Sequence, residues 1–248
     1  MSTQSQKNKV LAIIPARSGS KRIIDKNIKN FLGQPLISYT IEQAKACKFI
    51  DQIIVDTDSK KIADVSRECG SEVPWLRNKR LAGDNSQIVD SIIYNLKRLK
   101  KEKQYEPDYV VILQTTSPLR EVVDIKNCWR DMQSGGATTV LTIYPSQPRF
   151  YYLDKRRRIK LANGLKRKST NRQDWPLTYL LNGYCYIVKT SALLKESSII
   201  TKKTRAIVCD AWRSIELDTP EEWVVVKLLY KNRKHIKSDI KNLDGYSS

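Results

Sequence analysis

Histidine is almost absent from this chain of 248 residues: the single one, His235, lies in a lysine-rich segment near the C-terminus. A catalytic triad or a zinc site built on imidazole groups therefore has too few candidate residues. The five cysteines are widely separated and include no C-x-x-C pair. Such spacing is typical of small buried side chains in a reducing compartment, and it argues against a disulfide framework or a thiolate metal site.

Long apolar runs are missing too. No stretch approaches the roughly 20 apolar residues of a membrane-spanning helix, and the polar segment 1–9 lacks the core of a signal peptide. We therefore expect a cytoplasmic protein without membrane association. With 40% hydrophobic and 29% charged residues, the chain has a globular composition, and its length predicts one α/β domain over 1–248.

Acidic residues are scarce relative to basic ones. The 45 lysines and arginines against 26 aspartates and glutamates give a net charge of +19, spread over short runs that include 97–103, 156–158, 166–168 and 202–203. Such a charge attracts nucleic acids, anionic membranes or anionic substrates. A lysine-rich solvated surface is the simpler explanation, and an anionic substrate pair explains a few of the cations. A basic nucleic-acid-binding module is the alternative from a different class. The aromatic residues do not alternate with the basic runs as such a surface requires, so no nucleic-acid partner is expected.

Strand-like apolar runs alternate with helical patterns along most of the chain. Strands are predicted over 10–15, 51–58, 72–76, 109–113, 138–143, 184–188 and 204–209, and helices over 36–49, 59–69, 88–99, 124–132 and from 220 to 231–237. This alternation predicts an α/β fold with a mostly parallel, Rossmann-like three-layer sheet. Segment 144–181 departs from the rhythm because it is polar and basic, with short strand-like pieces at 150–153 and 158–161, and we expect it to project from the sheet. Residues beyond Asp239 are predicted to be loose.

The first strand is followed by a loop of small and basic residues. Ser18, Gly19 and Ser20 stand there among the cations Arg17, Lys21, Arg22 and Lys26. Small residues let a backbone approach a ligand, and their N–H groups can point at an anion, so the loop predicts a polyphosphate site. A polar turn between strand and helix explains the composition equally well. The spacing matches neither the P-loop nor G-x-G-x-x-G.

Two other polar segments, 57–58 and 114–115, also come directly after predicted strands. Ligands of parallel sheets bind at the carboxyl ends of the strands, so we expect these segments to meet the first loop at one edge of the sheet.

An acidic pair, Glu216 and Asp218, stands in the segment Ile215–Glu–Leu–Asp218. On a strand these two carboxylates would share one face, about 7 Å apart, and could bind one hard divalent cation. Two exposed acids before a helix are the simpler alternative. Thr219 and Glu222 predict a capping box at the start of that helix.

The stretch from Ile14 to Arg22, followed by Lys26-Asn27, closely resembles the N-terminal signature of the sugar-acid cytidylyltransferases, which include the CMP-acylneuraminate synthetases. Similar motifs follow in the family's order: Arg77 with 81–86, then 114–120, then 171–174 with 182–183, then 215–218. The resemblance covers about residues 9 to 228. This chain departs from the family at two places. Members usually have Leu-Pro-Gly or Ile-Pro-Gly before Lys-Asn, where this chain has Ile-Ile-Asp25. They usually have Asp at the position of Glu216.

The resemblance implies a nucleotidyltransferase-type fold and the transfer of CMP from CTP to the anomeric hydroxyl of a nine-carbon sugar acid, sialic, legionaminic or pseudaminic. It implies Mg²⁺ or Mn²⁺ as cofactor and a homodimer built through the projection 144–181. A synthetase for the eight-carbon acid 3-deoxy-manno-octulosonate is the nearest alternative. No side chain stands out as the general base.

The resemblance also implies roles for individual residues. For CTP they are Ala16, Arg17, Ser18, Gly19, Lys21, Lys26, Asn27, Arg77 and Ser86; for the sugar acid Gln114, Thr115, Arg172, Gln173 and Asn182; for the metal Glu216 and Asp218; and for catalysis Arg17, Lys26 and Asp218. The planar fork of Arg172 matches a carboxylate, although a backbone or dimer contact explains that residue nearly as well.

Overall fold

A computed structural model of the chain describes residues 7–83, 86–147, 150–162, 171 and 176–244. The strands are β1 (Val10–Pro15), β2 (Asn30–Phe31), β3 (Gln34–Pro35), β4 (Gln52–Asp56), β5 (Tyr109–Ile112), β6 (Thr139–Ser146), β7 (Tyr151–Leu153), β8 (Ile159–Leu161), β9 (Thr178–Lys189) and β10 (Thr204–Val208). The helices are α1 (Leu36–Lys45), α2 (Lys60–Glu68), α3 (Ile88–Lys103), α4 (Val122–Gln133), α5 (Thr190–Glu196) and α6 (Pro220–Asp244).

Six strands form the central sheet in the order β10-β6-β9-β5-β1-β4. β1 pairs in parallel with β4 and β5, and β10 pairs in parallel with β6. β9 runs antiparallel to both of its neighbours, β5 and β6. The predicted α/β fold with a mostly parallel sheet is therefore confirmed, and its one reversed strand lies in the middle of the sheet.

The apolar run of β1 is buried on both faces, as its composition predicts. Val10, Ala12 and Ile14 contribute to the apolar cluster that packs against α1, α2 and α4. Leu11 and Ile13 contribute to the opposite cluster, with α3 and α5. All five side chains are fully buried, so helices cover the sheet on both sides in the three-layer arrangement expected.

A third apolar cluster joins the start of α6 to the loop after β1. Phe31 forms edge-to-face contacts with Tyr39, Trp223 and Tyr230, with ring centroids 5.4 to 5.8 Å apart. Ile23 of the first loop and Leu217 of the acidic segment pack into the same cluster. Apolar packing thus brings the loop after β1 and the acidic segment before α6 to one place.

Several local predictions are confirmed. Ser59 caps α2 by accepting a hydrogen bond from the Ile62 N–H at 3.3 Å. Thr219 and Glu222 form the capping box of α6, since each side chain accepts from the backbone N–H of the other. The two strand-like pieces of 144–181 form the antiparallel hairpin β7–β8. Within the described ranges, no helix combines the length and apolar character needed to cross a membrane.

Other predictions are wrong. The strand expected over 72–76 is reduced to a single bridge between Glu72 and Ile54. β9 begins at Thr178, six residues earlier than expected, because its first part pairs with the far end of β6. α6 continues past Asp239 to Asp244. Segment 215–218 is not a strand: it has no place in the sheet, and the Leu217 N–H donates instead to the Thr116 carbonyl in the loop after β5.

Candidate active site

A cavity of about 460 Å³ opens at the carboxyl ends of β1, β4 and β5. Its lining joins the loop after β1, the loop between α2 and α3, the loop after β5 and Asp218 of the acidic segment. The predicted residues among this lining are Arg17, Gly19, Lys21, Lys26, Asn27, Arg77, Ser86, Gln114, Thr115 and Asp218. The loops after β1 and β5 therefore meet at one edge of the sheet, as expected. Asp58, after β4, meets the first loop through its hydrogen bonds with Ser18, outside the cavity lining.

Hydrogen bonds to neighbouring loops fix the loop after β1. Ser18 donates its N–H and its hydroxyl to the Asp58 carboxylate, at 2.8 and 2.6 Å. Burial raises the pKa of Asp58, but these bonds outweigh it and the pKa lies below the ordinary value. The Ser20 N–H donates to the Ser18 carbonyl at 2.8 Å, and Ala16 is buried with its N–H bonded to the Asp56 carbonyl. These three amides are thus committed within the protein, and the cationic side chains that line the cavity are the better candidates for holding an anion.

Asn27 links two of the loops. Its side-chain amide donates to the Arg17 carbonyl at 2.9 Å, and its carbonyl oxygen accepts from the Thr115 hydroxyl at 2.5 Å. Because Asn27 is almost completely buried, both bonds lie in an environment that excludes water and makes their loss costly.

The turn before Lys26 is tight despite the lack of Pro-Gly. Asp25 adopts a left-handed conformation with φ 53° and precedes the short 3₁₀ helix Lys26–Ile28. Aspartate tolerates this region better than most residues. Its carboxylate also binds Lys61 of α2 at 2.6 Å, which ties the turn to that helix.

Lys26 and Asp218 form an ion pair across the cavity, with Nζ 2.7 Å from Oδ1. Glu222 accepts from the Asp218 N–H at 2.8 Å and so holds the backbone of the acidic segment. The neighbouring Glu216 is partly buried, and burial together with repulsion from Asp218 raises its pKa, with Lys26 opposing the shift. The strand that would have put Glu216 and Asp218 on one face is absent; Leu217, between them in sequence, packs into the apolar cluster around Phe31 and Trp223.

These two carboxylates fit a hard cation only as part of a larger ligand set. Among the described residues, no group of three or more His, Cys, Asp or Glu side chains could hold a metal ion. Mg²⁺ commonly takes one or two protein carboxylates and completes its octahedron with substrate phosphate and water. The donor chemistry of Glu216 and Asp218 therefore suits a metal that arrives with a phosphorylated substrate.

Arg77 lies in a buried ion pair rather than on the surface. Its guanidinium is 2.6 Å from the Asp56 carboxylate, and Ser91 of α3 donates to the same carboxylate at 2.6 Å. The Arg77 Nε–H has no partner among the described residues although it is buried. Ser86 also faces the cavity, and its hydroxyl donates to the Arg80 carbonyl at 2.9 Å. Sequence reasoning missed Asp56, the last residue of β4, because nothing local marks it as the partner of a residue 21 positions later.

The residues predicted for a sugar acid have different positions. Gln114 and Thr115 line the cavity. Asn182 does not: its side chain is fully buried and bonds to Thr142 and Ser214, at 2.6 and 3.1 Å. Arg172 and Gln173 lie outside the described residues.

Arg120 was not foreseen as part of this region. It is 2% exposed, and its guanidinium donates to the carbonyls of Gln114 and Tyr184 and to the hydroxyl of Thr40, at 2.6 to 3.1 Å. Burial lowers its pKa to about 10. A buried cation bonded to three parts of the chain fixes the loop that carries Gln114. In the sequence, the position of Arg120 at the end of the motif 114–120 was the available sign of this role.

A family model described as cytidylyltransferase matches residues 11–176. The chain belongs to this family. It is 32% identical over 226 residues to the CMP-N,N'-diacetyllegionaminic acid synthase of Legionella pneumophila. The aligned region covers 89% of this chain and 96% of that one. It is 30% identical over 227 residues to the pseudaminic acid cytidylyltransferase of Campylobacter jejuni, with 90% and 97% covered.

The fold of this cytidylyltransferase is similar to that of a solved CMP-2-keto-3-deoxy-manno-octonic acid synthetase complexed with CTP. The TM-score is 0.67 with 16% sequence identity, covering 91% of this chain and 99% of that one. At this identity the likeness concerns the fold, which is that of a nucleotidyltransferase.

The left-handed turn at Asp25 yields a stability prediction. Asp25→Gly loses the exposed ion pair and makes the unfolded chain more flexible, and both effects lower stability. It also relieves the left-handed strain, which raises stability by a similar amount. The free energy of unfolding should therefore stay within about 0.5 kcal/mol of the wild type. Asp25→Ala keeps the strain and loses the pair, so it should cost about 1 kcal/mol. Urea unfolding of both variants decides the matter, and equal losses would contradict the assignment of strain to this turn.

Proposed function

We propose that this cytidylyltransferase transfers the CMP group of CTP to the anomeric hydroxyl of a nine-carbon sugar acid of the legionaminic, pseudaminic or sialic type. The observation that carries the proposal is the cavity itself, in which four cations of the first loop, a buried arginine, two glutamines and a carboxylate converge at the strand ends. The relatives named as legionaminic and pseudaminic acid enzymes, each covered over nearly its whole length, support the substrate class.

In this reaction the anomeric oxygen attacks the α-phosphorus of CTP. A new O–P bond forms, the bond to the β-phosphate oxygen breaks, the hydroxyl loses its proton, and pyrophosphate leaves. Such a transfer depends on positioning and on neutralising phosphate charge more than on covalent chemistry by the protein. Arg17, Lys21 and Lys26 would bind the triphosphate, because all three line the cavity.

The remaining lining residues divide between the two substrates. Arg77 and Ser86, in the loop between α2 and α3, would contact the cytidine. Gln114 and Thr115, on the loop after β5, would contact the sugar acid. Since Asn27 bonds both loops, it would keep the two substrates in register.

Glu216 and Asp218 would hold Mg²⁺ or Mn²⁺ together with phosphate oxygens. When bound, the metal would neutralise phosphate charge and act as a Lewis acid. Asp218 would first exchange its bond to Lys26 for this role, and Lys26 would turn to the phosphates. The pair suits such an exchange because the Asp218 side chain is 47% exposed, and ion pairs that solvent reaches are weak.

We also propose a homodimer that covers the projection. The hairpin β7–β8 and the start of β9 expose large apolar side chains, among them Tyr152, Leu153, Ile159 and Leu177, each 65 to 70% exposed. A two-stranded hairpin has little core of its own, and a second copy of the chain would bury this surface.

Substrate assays test the activity. With Mg²⁺ present, CTP and one of legionaminic, pseudaminic or sialic acid should yield the CMP-sugar and pyrophosphate. ATP, GTP and UTP should support at most a tenth of that rate, and 3-deoxy-manno-octulosonate serves as the eight-carbon control. Comparable turnover with ATP or GTP, or a preference for the eight-carbon acid, would overturn the assignment.

The ion pair yields a second prediction. Lys26→Ala and Asp218→Asn should each lower kcat/KM at least tenfold, since a charged hydrogen bond is worth roughly 1.5–3 kcal/mol. Asp64→Asn is the matched control, because its exposed carboxylate pairs with Lys60 on α2 and should leave activity unchanged. Excess chelator should abolish turnover and Mg²⁺ should restore it. Near-normal activity of Asp218→Asn, or turnover that chelator does not affect, would refute the role of the pair.

The dimer is tested by light scattering at micromolar concentration. The wild type should have twice the mass of one chain, and Leu153→Lys with Ile159→Lys should shift it toward the monomer. Val224→Lys, on the exposed face of α6 at 58% exposure, is the control for an added surface charge. A fully active wild-type monomer would contradict the proposal.

A further inference from the structure

Gly183 lies at an irregular point in the middle of the sheet. β9 pairs regularly with β6 on both sides of this residue, but the register shifts between Leu141 and Ile143 of the partner strand. Gly183 has φ +62°, in the left-handed region that favours glycine. The preceding Asn182 closes the irregularity by accepting hydrogen bonds from the Thr142 hydroxyl and from the Tyr184 N–H.

The space that a side chain at 183 would need is already filled. A Cβ at this position would lie 2.7 Å from Oε1 of Gln114 and 2.7 Å from Oε1 of Glu216, closer than any ordinary contact. The two oxygens therefore lie within twice that distance of each other. One belongs to the loop that lines the cavity and the other to the acidic segment, so Gly183 sits where the two halves of the site meet.

The backbones that carry these two side chains have little freedom to retreat. The Gln114 carbonyl accepts from Arg120 at 3.1 Å, and the Leu217 N–H, next to Glu216, donates to the Thr116 carbonyl at 2.8 Å. The ends of Gln114 and Glu216 are the movable parts. A methyl group at 183 would therefore displace the amide and the carboxyl group while leaving the framework in place.

We propose that Gly183 is a positioning residue of the reaction. Because glycine has no side chain, it leaves the space in which the Gln114 amide and the Glu216 carboxyl group lie side by side. The inference rests on the proposed function, in which Gln114 faces the sugar acid and Glu216 belongs to the acidic pair. Displacement of such groups by about 1 Å can cost on the order of a hundredfold in rate. Gly183 itself contacts neither substrate.

Gly183→Ala and Gly136→Ala form a matched pair. Gly136 lies in the turn between α4 and β6 with φ +85°, and a Cβ there would meet nothing within 4 Å. Both variants place alanine in a left-handed conformation, so both should lower the melting temperature by a similar amount, roughly 2–8 °C. Only Gly183→Ala should lower kcat/KM for the sugar acid, by at least about tenfold. Its KM for CTP should change less than its kcat, because the cations and Arg77 are untouched and Glu216 is the one group proposed to hold CTP, through the metal, that the methyl group displaces.

Crystal structures of the wild type and both variants give a readout that does not depend on activity. In Gly183→Ala the ends of Gln114 and Glu216 should move by about 1 Å or more while Arg120 and Asn182 stay in place; in Gly136→Ala neither should move.

Each other outcome overturns the inference. Wild-type kinetics in Gly183→Ala would show that the space is not needed. Failure of Gly183→Ala to fold, or a far larger loss of stability than in Gly136→Ala, would show that the framework and not the two side-chain ends absorbs the methyl group. If the wild type forms no CMP-sugar with any of the acids, the proposed function fails instead, and the crystal structures alone decide whether Gly183 positions the two groups.

Discussion

The ion pair between Lys26 and Asp218 joins residues 192 positions apart, and the cavity has its shape only while these two segments are together. The pair does not hold them by itself, because its partly exposed carboxylate limits its contribution to stability. Apolar packing does so: Ile23 and Leu217 lie in the cluster built around Phe31 and Trp223. Apolar packing therefore fixes the two charged segments in position without depending on the ion pair, as the exchange of partners proposed for Lys26 and Asp218 requires.

Buried arginines fix the rest of the site. Arg77 is bonded to Asp56, Arg120 to carbonyl oxygens of two elements, and Arg213 to the Asp124 carboxylate at 2.6 Å. Buried charges of this kind are weak evidence for stability, because desolvation offsets the attraction. Their bonds do define which loop conformation satisfies every donor, since an unpaired guanidinium in the interior is costly. Each of the three therefore restricts one loop or segment of the chain.

Periodicity and cap chemistry predicted what depends on nearby residues. The double-sided burial of β1, the Ser59 cap and the capping box at Thr219 all follow from local patterns. The direction of β9 did not follow from a local pattern. A buried strand has the same apolar pattern whether it runs parallel or antiparallel, and the direction of β9 depends on how the chain returns from the projection. Segment 215–218 failed as a strand for a related reason: its residues alternate correctly, but in the described part of the chain it pairs with no strand and bonds to the Thr116 carbonyl instead.

The candidate site shows the same division. The cations and Gln114 were found because they follow strand ends, where parallel sheets bind their ligands. Asn182 was expected to contact the substrate, but its side chain bonds to Thr142 and Ser214 inside the protein. A sequence motif does not indicate the direction in which a side chain points. Asp56 went unnoticed, and Arg120 was noted only as the last residue of the motif 114–120, because their partners are distant in sequence. Interactions that only the folded chain creates were the ones that sequence reasoning missed.

Two left-handed positions show how the surroundings of a residue decide whether glycine is required. At residue 25, next to the cavity-lining Lys26, the conformation is left-handed but the side chain points toward solvent and α2, so aspartate fits and binds Lys61. At residue 183 the backbone is similar, yet the amide of Gln114 and the carboxyl group of Glu216 occupy the space beyond Cα. Backbone strain alone allows aspartate or asparagine at either place. The difference is the neighbouring functional groups, and for that reason the glycine inside the sheet constrains the chemistry more than the turn in the loop.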